Sequence, residues 1–487
     1  MVRRPQDRQV APATWTPGRL GPYEELAWRP DVLPVEQIHE VSTAEALAWT
    51  GLTIIVVIAF ATLAIYLLVR FIERRRKEWS SMLEAAGIGF RAYSSTPAIA
   101  EPTPGVRNKL DVIRSIDPDF SLVLLEDFIY ALYAEAQTAR GLGKMDRLAP
   151  YFRPAARDHL DGLGAYPVEG IVVGAMRFVS FRPNPRLTVE VEIEANYAEQ
   201  YAESKRGLYA RERWVFSRSR TAHSRPPEKV RVFDCPGCGA PVERLVGGTC
   251  QFCSRVVDTG EFDWVVDSIT VLERSTRGPM LTGTVEEQGT DLPTVVDPRL
   301  SQALTYLRDK DASFDVAAIQ ARVERIFQVM QDAWSNLTWE KARPFLSDNL
   351  FEAQSYWIAA YRAQGLRNIT QRAEITAMEL VRITQDRWYT AVTMRVHAQS
   401  LDFTVRDSDG QVVGGDAHKM RAYTEYWTII RGVGCKQASS TESKCPSCGA
   451  PLETSMAARC KYCQAKVNSG DFDWVLSRIE QDEVYTG

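Results

Sequence analysis

Hydrophobic and polar positions along this chain follow two rhythms, and each rhythm occurs twice. Ile319, Val323, Ile326, Phe327, Met330, Trp334 and Leu337 recur at steps of three and four, which places them on one face of a helix. Leu124, Leu125, Phe128, Ile129, Leu132 and Tyr133 draw a similar stripe earlier in the chain. Aromatic stripes of this kind read as core, not as a cofactor box. After each helical stretch the period shifts to alternation. VEGIVVGAMRFVSF, LTVEVEIEANYAEQ and RERWVFSRS form one set of strands, and AEITAMELVRITQ, WYTAVTMRVHAQSLDFTV and RAYTEYWTIIR form the other. Helices leading into a curved antiparallel sheet make each unit α+β.

The two units align residue by residue. Phe120 and Phe314 lie 194 positions apart, as do Pro150 and Pro344, with Tyr151-Phe152 opposite Phe345-Leu346. At Trp214 and Trp427 the offset has grown to 213, so the second copy carries an insertion among its strands. The turn Asp407-Ser408-Asp409-Gly410, followed by Gly414-Gly415, predicts a projecting hairpin there.

A different pattern stands upstream. Residues 46–69 carry 24 positions without a charge, enough helix to cross a hydrocarbon layer of about 30 Å. The run begins too deep in the chain and is too long for a signal peptide, so it predicts a single N-terminal transmembrane helix. Acidic residues precede it and Arg70, Arg74, Arg75, Arg76 and Lys77 follow. The positive-inside rule then places the N-terminus outside and the C-terminal body in the cytoplasm, a single-pass plasma-membrane protein in contact with the lipid bilayer.

The densest chemistry is a cysteine framework written twice. Cys235, Cys238, Cys250 and Cys253 have the spacing Cys-x-x-Cys, eleven residues, Cys-x-x-Cys, and Cys445, Cys448, Cys460 and Cys463 repeat it 210 residues later. Two close pairs suit a tetrahedral zinc ion. Four thiolates leave no open position, so each zinc is expected to be structural, two ions per chain. A redox pair and a disulfide pair are the rival readings. Gly239 and Gly449 follow the second cysteine of each first pair, where a knuckle needs positive φ. Each framework ends in Phe-Asp-Trp, at Phe262-Asp263-Trp264 and Phe472-Asp473-Trp474, whose rings are expected to pack the ribbon on the sheet. Cys435 is the ninth cysteine and reads as a buried thiol.

Composition narrows the function classes. The chain of 487 residues is 45% hydrophobic and 25% charged, which is globular composition with material for two cores. A formal charge of -4 lacks the concentrated basic face that nucleic acid requires. Among the five histidines, His397 and His418 fall in the second sheet with Asp402 nearby, but by parity His397 and Asp402 point to opposite faces. His159 and His223 of the first copy do not reproduce that set. Phosphate-cradling glycine loops, GxSxG and HExxH are absent from the sequence.

These features divide the chain into a tail at 1–45, the membrane helix at 46–69, a juxtamembrane segment and linker at 70–116 and a first domain at 117–233. A first ribbon with its tag at 234–271, a linker at 272–300, a second domain at 301–434 and a second ribbon with the tail at 435–487 follow.

The phrases DASFDVAAIQARVERIFQVMQDAWSNLTWEKARPFLSDNLFEAQ and YTEYWTII resemble the Tim44-like domain, of the nuclear-transport-factor-2-like cone fold. The resemblance covers residues 311–480, and residues 117–270 share it more weakly. It implies a non-catalytic binding or scaffold protein that holds a protein segment or lipid near a membrane, linked by analogy to protein translocation. The same fold hosts isomerases and dehydratases, so an enzyme with its pocket in the second copy is the alternative.

Overall fold

The computed structural model describes residues 105–202, 204–241, 245–246, 248–276, 281–282, 290–437 and 443–487, all within one compact unit. The first copy opens with a short helix α1, Val106–Leu110, a 3-10 turn at Asp111–Ser115 and the long helix α2, Leu122–Gly141. Ser121 caps α2 by accepting the Leu124 amide at 3.3 Å. A 3-10 turn at Met145–Tyr151 and helix α3, Pro154–Gly162, lead into strands β1, Val168–Arg182, β2, Leu187–Tyr201, and β3, Ser204–Arg218. The ribbon holds β4, Leu245–Val246, and β5, Thr249–Cys250, and the chain returns as β6, Val265–Thr276.

The second copy repeats this order with helices α4, Leu300–Lys310, α5, Val316–Ser335, and α6, Asp348–Ala363. Asp315 caps α5 through the Ala317 amide at 3.0 Å and Ser347 caps α6 through the Leu350 amide at 3.3 Å. Strands β7, Leu366–Gln385, β8, Tyr389–Arg406, β9, Val412–Gly432, and β10, Val475–Gln481, complete it. Both sheets are antiparallel and share one topology, β1-β2-β3-β6 and β7-β8-β9-β10. Register shifts along β1, β3, β7 and β8 bend each sheet around its helices. The insertion read from the sequence is the extended β8-β9 hairpin, whose turn contains Asp407 to Gly410.

One face of each sheet packs on its own helices. Leu124, Phe128, Leu132 and Tyr133 of α2 meet Val189, Val191, Ile193 and Trp214, while Val323, Ile326 and Phe327 of α5 meet Met394, Val396 and Trp427. Burial of these side chains at about 1.5–3 kcal/mol each supplies the main drive for each core.

The copies also bind each other. Arg107 of α1, Glu126 of α2, and Arg478 and Glu480 of β10 form an alternating network whose side chains are at most 15% exposed. Trp388 Nε1 donates to the Asp119 carbonyl at 3.0 Å, and Arg114 Nη1 to the Gln385 carbonyl at 3.1 Å. Leu292 and Thr294, between the copies, lie along the outer face of the second sheet, where Arg395 donates to the Leu292 carbonyl and Thr294 Oγ1, each at 2.9 Å.

The expectation of a transmembrane helix, and with it single-pass localisation in the plasma membrane, is corrected. Among the described residues no helix is long and apolar enough to cross a membrane. The two longest, α2 and α5, are interrupted by charge: Glu126, Asp127, Glu135 and Arg140 in one, Arg322, Glu324, Arg325 and Asp332 in the other. Residues 46–69 lie outside the described residues.

Candidate functional site: two sulfur tetrads and a shared cleft

Each cysteine framework folds so that its four sulfurs converge, with all ligand atoms within 4.8 Å of one another. In the first ribbon Cys235 Sγ is 3.9 Å from Cys253 Sγ and Cys238 Sγ is 3.8 Å from Cys250 Sγ. In the second, Cys445 to Cys463 is 3.8 Å and Cys448 to Cys460 is 3.9 Å. Metal–sulfur bonds of about 2.3 Å in a tetrahedron require sulfur separations of about 3.8 Å, so the donor sets fit a metal ion. A disulfide needs sulfurs about 2.05 Å apart, and all nine cysteines are free.

The knuckles follow from the glycines. Gly239 and Gly449 both sit at φ +74°, and their amides donate to the carbonyls of Cys235 and Cys445 at 2.7 and 2.8 Å. Backbone amides favour thiolate at two of the sulfurs, that of Cys253 pulling the Cys250 thiol down to about 7 and that of Ala465 pulling Cys463 down to about 6, while burial pushes Cys235 up to about 12.

The Phe-Asp-Trp tags do more than pack. Asp263 Oδ1 accepts the Trp264 amide at 2.8 Å, and Asp473 Oδ1 accepts the Trp474 amide at 2.7 Å. Trp264 and Trp474 are buried, each beneath a buried guanidinium: Arg218 lies 5.0 Å above the first ring and Arg431 lies 4.6 Å above the second. Arg218 pairs with Asp117 at 2.9 Å, and Arg431 pairs with Asp311. Asp117 and Asp311 occupy the acidic turns before the long helices, so the same Asp–Arg–Trp stack locks turn, sheet and ribbon in both copies. Asp117 also comes close to Asp119 and His223, but its carboxylate is committed to Arg218 and Ser224.

A cleft of about 490 Å³ opens beneath the second sheet. α5, α6, β7, β8, β9 and β10 wall it on one side, and α2 and β1 of the first copy close the other. The lining mixes aromatic rings with ionisable groups. Asp402 Oδ2 accepts Arg421 Nη1 at 2.9 Å, and Asp402 Oδ1 accepts Asn368 Nδ2 at 2.8 Å. Asn368 Oδ1 in turn accepts Trp334 Nε1 at 2.8 Å. Glu425 Oε2 accepts Trp427 Nε1 at 2.9 Å. From the first copy, Glu126 pairs with Arg478 and Asp127 accepts from Asn349 Nδ2. Burial, opposed by Arg231 and reinforced by Asp348 and Glu126, raises Asp127 to about 7.

The four described histidines stay out of the cleft. His397 hydrogen-bonds Glu379 Oε1 at 2.9 Å on the outer face of β8, opposite to Asp402 as parity requires. His418 is exposed near the hairpin tip, His159 is half-buried on α3, where burial lowers its pKa, and His223 is exposed. Cys435 is buried. Gln331, Asn368, Arg421 and Glu425 line the cleft, and apolar periodicity passed over them because they are polar positions within amphipathic elements.

Helices cupped by a curved antiparallel sheet, with a cleft against the concave face, define a binding domain of α+β class. Residues 300–440 match the family described as "Tim44-like domain", so the second copy is a Tim44-like domain. The match supports a binding or scaffold role. A solved structure titled "Ntf2 like protein involved in plasmid conjugation" aligns with 72% of this chain and 94% of its own at 8% identity. Its TM-score is 0.15, and a superposition that loose carries no argument. No curated protein matches the chain.

Proposed function

We propose that this protein is a non-catalytic receptor that holds a segment of a partner protein in the shared cleft, with each sulfur tetrad binding one structural zinc. The observation that carries this reading is a cleft of about 490 Å³ built by both copies, rich in indole and phenol rings, whose charged groups are tied by hydrogen bonds within the walls. Aromatic walls with a few fixed polar groups suit recognition of a chain segment. Zinc would be supplied with four ligands in each ribbon and would brace the sheet end on which the tag tryptophan sits. The family likeness supports protein translocation as the setting.

A photo-crosslinking residue in place of Gln354, on the α6 wall, tests this. In cells that make the protein, a discrete polypeptide adduct is expected. It should disappear when Gly174, whose Cβ direction has no atom nearer than 3.9 Å, is replaced by tryptophan to fill the cleft. Absence of an adduct, or an adduct indifferent to Gly174→Trp, overturns the reading. Lipid recovered in place of polypeptide overturns it too.

A further inference from the structure

The two copies carry the same polar constellation in their cones, and one of them is already filled. In the first copy Gln137 of α2, Glu199 of β2, and Glu212 with Trp214 of β3 face inward. Trp214 Nε1 donates to Glu212 Oε2 at 2.8 Å. In the second copy Gln331 stands at the Gln137 position, by the same offset that relates Phe120 to Phe314. Trp427 Nε1 donates to Glu425 Oε2 at 2.9 Å, and sheet register places Asp402 where Glu199 stands. Both glutamates precede their tryptophan by two residues, so the duplication has kept a glutamine, two carboxylates and an indole at one location.

What differs is the occupant. In the first cone Arg140, from the helix itself, donates Nε to Gln137 at 2.9 Å and Nη2 to Glu199 at 2.8 Å, with its guanidinium 5.8 Å from the Tyr197 ring centre. Arg274 of β6 reaches the same Glu199 oxygen at 2.6 Å. The Arg140 and Glu199 side chains are completely buried. Both guanidiniums meet Glu199, while Glu212 accepts the Trp214 indole. In the second cone the Arg140 position is Trp334, the Tyr197 position is Ser400, and β10 ends at Gln481 before a counterpart of Arg274 arises. On this wall Arg421 of β9 pairs with Asp402 and Gln481 Nε2 donates to Glu425 Oε1 at 2.9 Å, and the space at the Arg140 position is part of the cleft.

From this we infer that the second cone is a receptor for a guanidinium group, the arginine side chain of a bound protein segment, held by Asp402 and Gln331 against Trp334 and Trp427. The first copy displays the bonded state with its own arginine. Indole faces suit a planar cation. The inference rests on the proposed receptor function and specifies its anchor.

The test uses the full chain and two probes, N-acetylarginine methylamide and N-acetylcitrulline methylamide, which match in shape but differ in charge. Saturation-transfer NMR should show the arginine probe binding about tenfold or more tightly than citrulline, the difference expected for a charge-assisted contact. Asp402→Asn should weaken the arginine probe about tenfold. Trp334→Arg restores the first-copy plug and should abolish binding, and if that variant fails to fold, as read by circular dichroism, Asp402→Asn alone decides. Equal binding of both probes overturns the guanidinium anchor while leaving a segment-binding cleft. Binding of neither probe overturns the anchor as well, and the Gln354 crosslink then judges the receptor function separately.

Discussion

Arg107 Nη2 lies 2.8 Å from Glu480 Oε1, joining the first described helix of one copy to the last strand of the other through a buried ion pair. Glu126 and Arg478 extend the pair into a ring of four alternating charges. Removing one member leaves its neighbours buried and uncompensated. Arg478→Ala is therefore expected to destabilise the chain by about 3–5 kcal/mol in urea unfolding. A loss below about 1 kcal/mol would mean that the network contributes no more than a surface pair.

The same ring gives an acid limit. Burial works against ionisation of Glu480, but Arg107 and Arg478 outweigh it and hold its pKa below the ordinary 4.5. The stabilisation is present above that value and is lost as pH falls through the depressed one. Glu480→Gln should therefore narrow the stability difference between pH 6 and pH 3. Urea midpoints that fall in parallel for parent and variant would contradict this.

Asp127 behaves in the opposite sense. Its carboxyl, ordinarily at 3.8, is raised to about 7, chiefly by burial. The folded chain keeps a proton that the unfolded chain has released between those values, so the stabilisation is present below 3.8 and fades as pH rises through about 7. Asp127→Asn retains an acceptor for Asn349 and removes the titration. The variant should match the parent at acid pH and exceed it in thermal midpoint at pH 8. Equal midpoints at pH 8 would refute the shift.

Metal analysis is expected to return two zinc ions per chain, one for each tetrad. Cys445→Ser with Cys448→Ser should lower the count to one and speed hydrogen exchange across the second ribbon, because metal-linked folding energy is removed. Unchanged exchange would show that the ribbon holds without its ion.

Trp474 lies at 1% exposure between Arg431 and the second core. Trp474→Ala is expected to cost about 3–5 kcal/mol and to loosen the ribbon together with the sheet, read as a lowered denaturant midpoint. Loss confined to the ribbon would separate the tag from the core.

Local spacing made much of this architecture legible. The cysteine frameworks, the helical stripes and the shift to alternation are signals within tens of residues, and aligned prolines and tryptophans revealed the duplication. The union of the copies was not legible, because Arg107 and Glu480 are ordinary surface residue types until the chain brings them together. Asp117 and Asp311 stand shortly before the long helices, yet their bonds to Arg218 and Arg431 cross the fold and leave no local pattern. Gln137 and Gln331 could be aligned by the known offset, but a reading that follows apolar positions passes over a polar residue facing inward. The long apolar run upstream had length and hydropathy in its favour, while the longest helices described are amphipathic and charged.

The difference between Arg140 and Trp334 at one helical position separates two ways of satisfying a carboxylate. The first cone does so from within its own helix, whereas the proposed anchor of the second would come from another molecule, so only the second could register whether a partner is present.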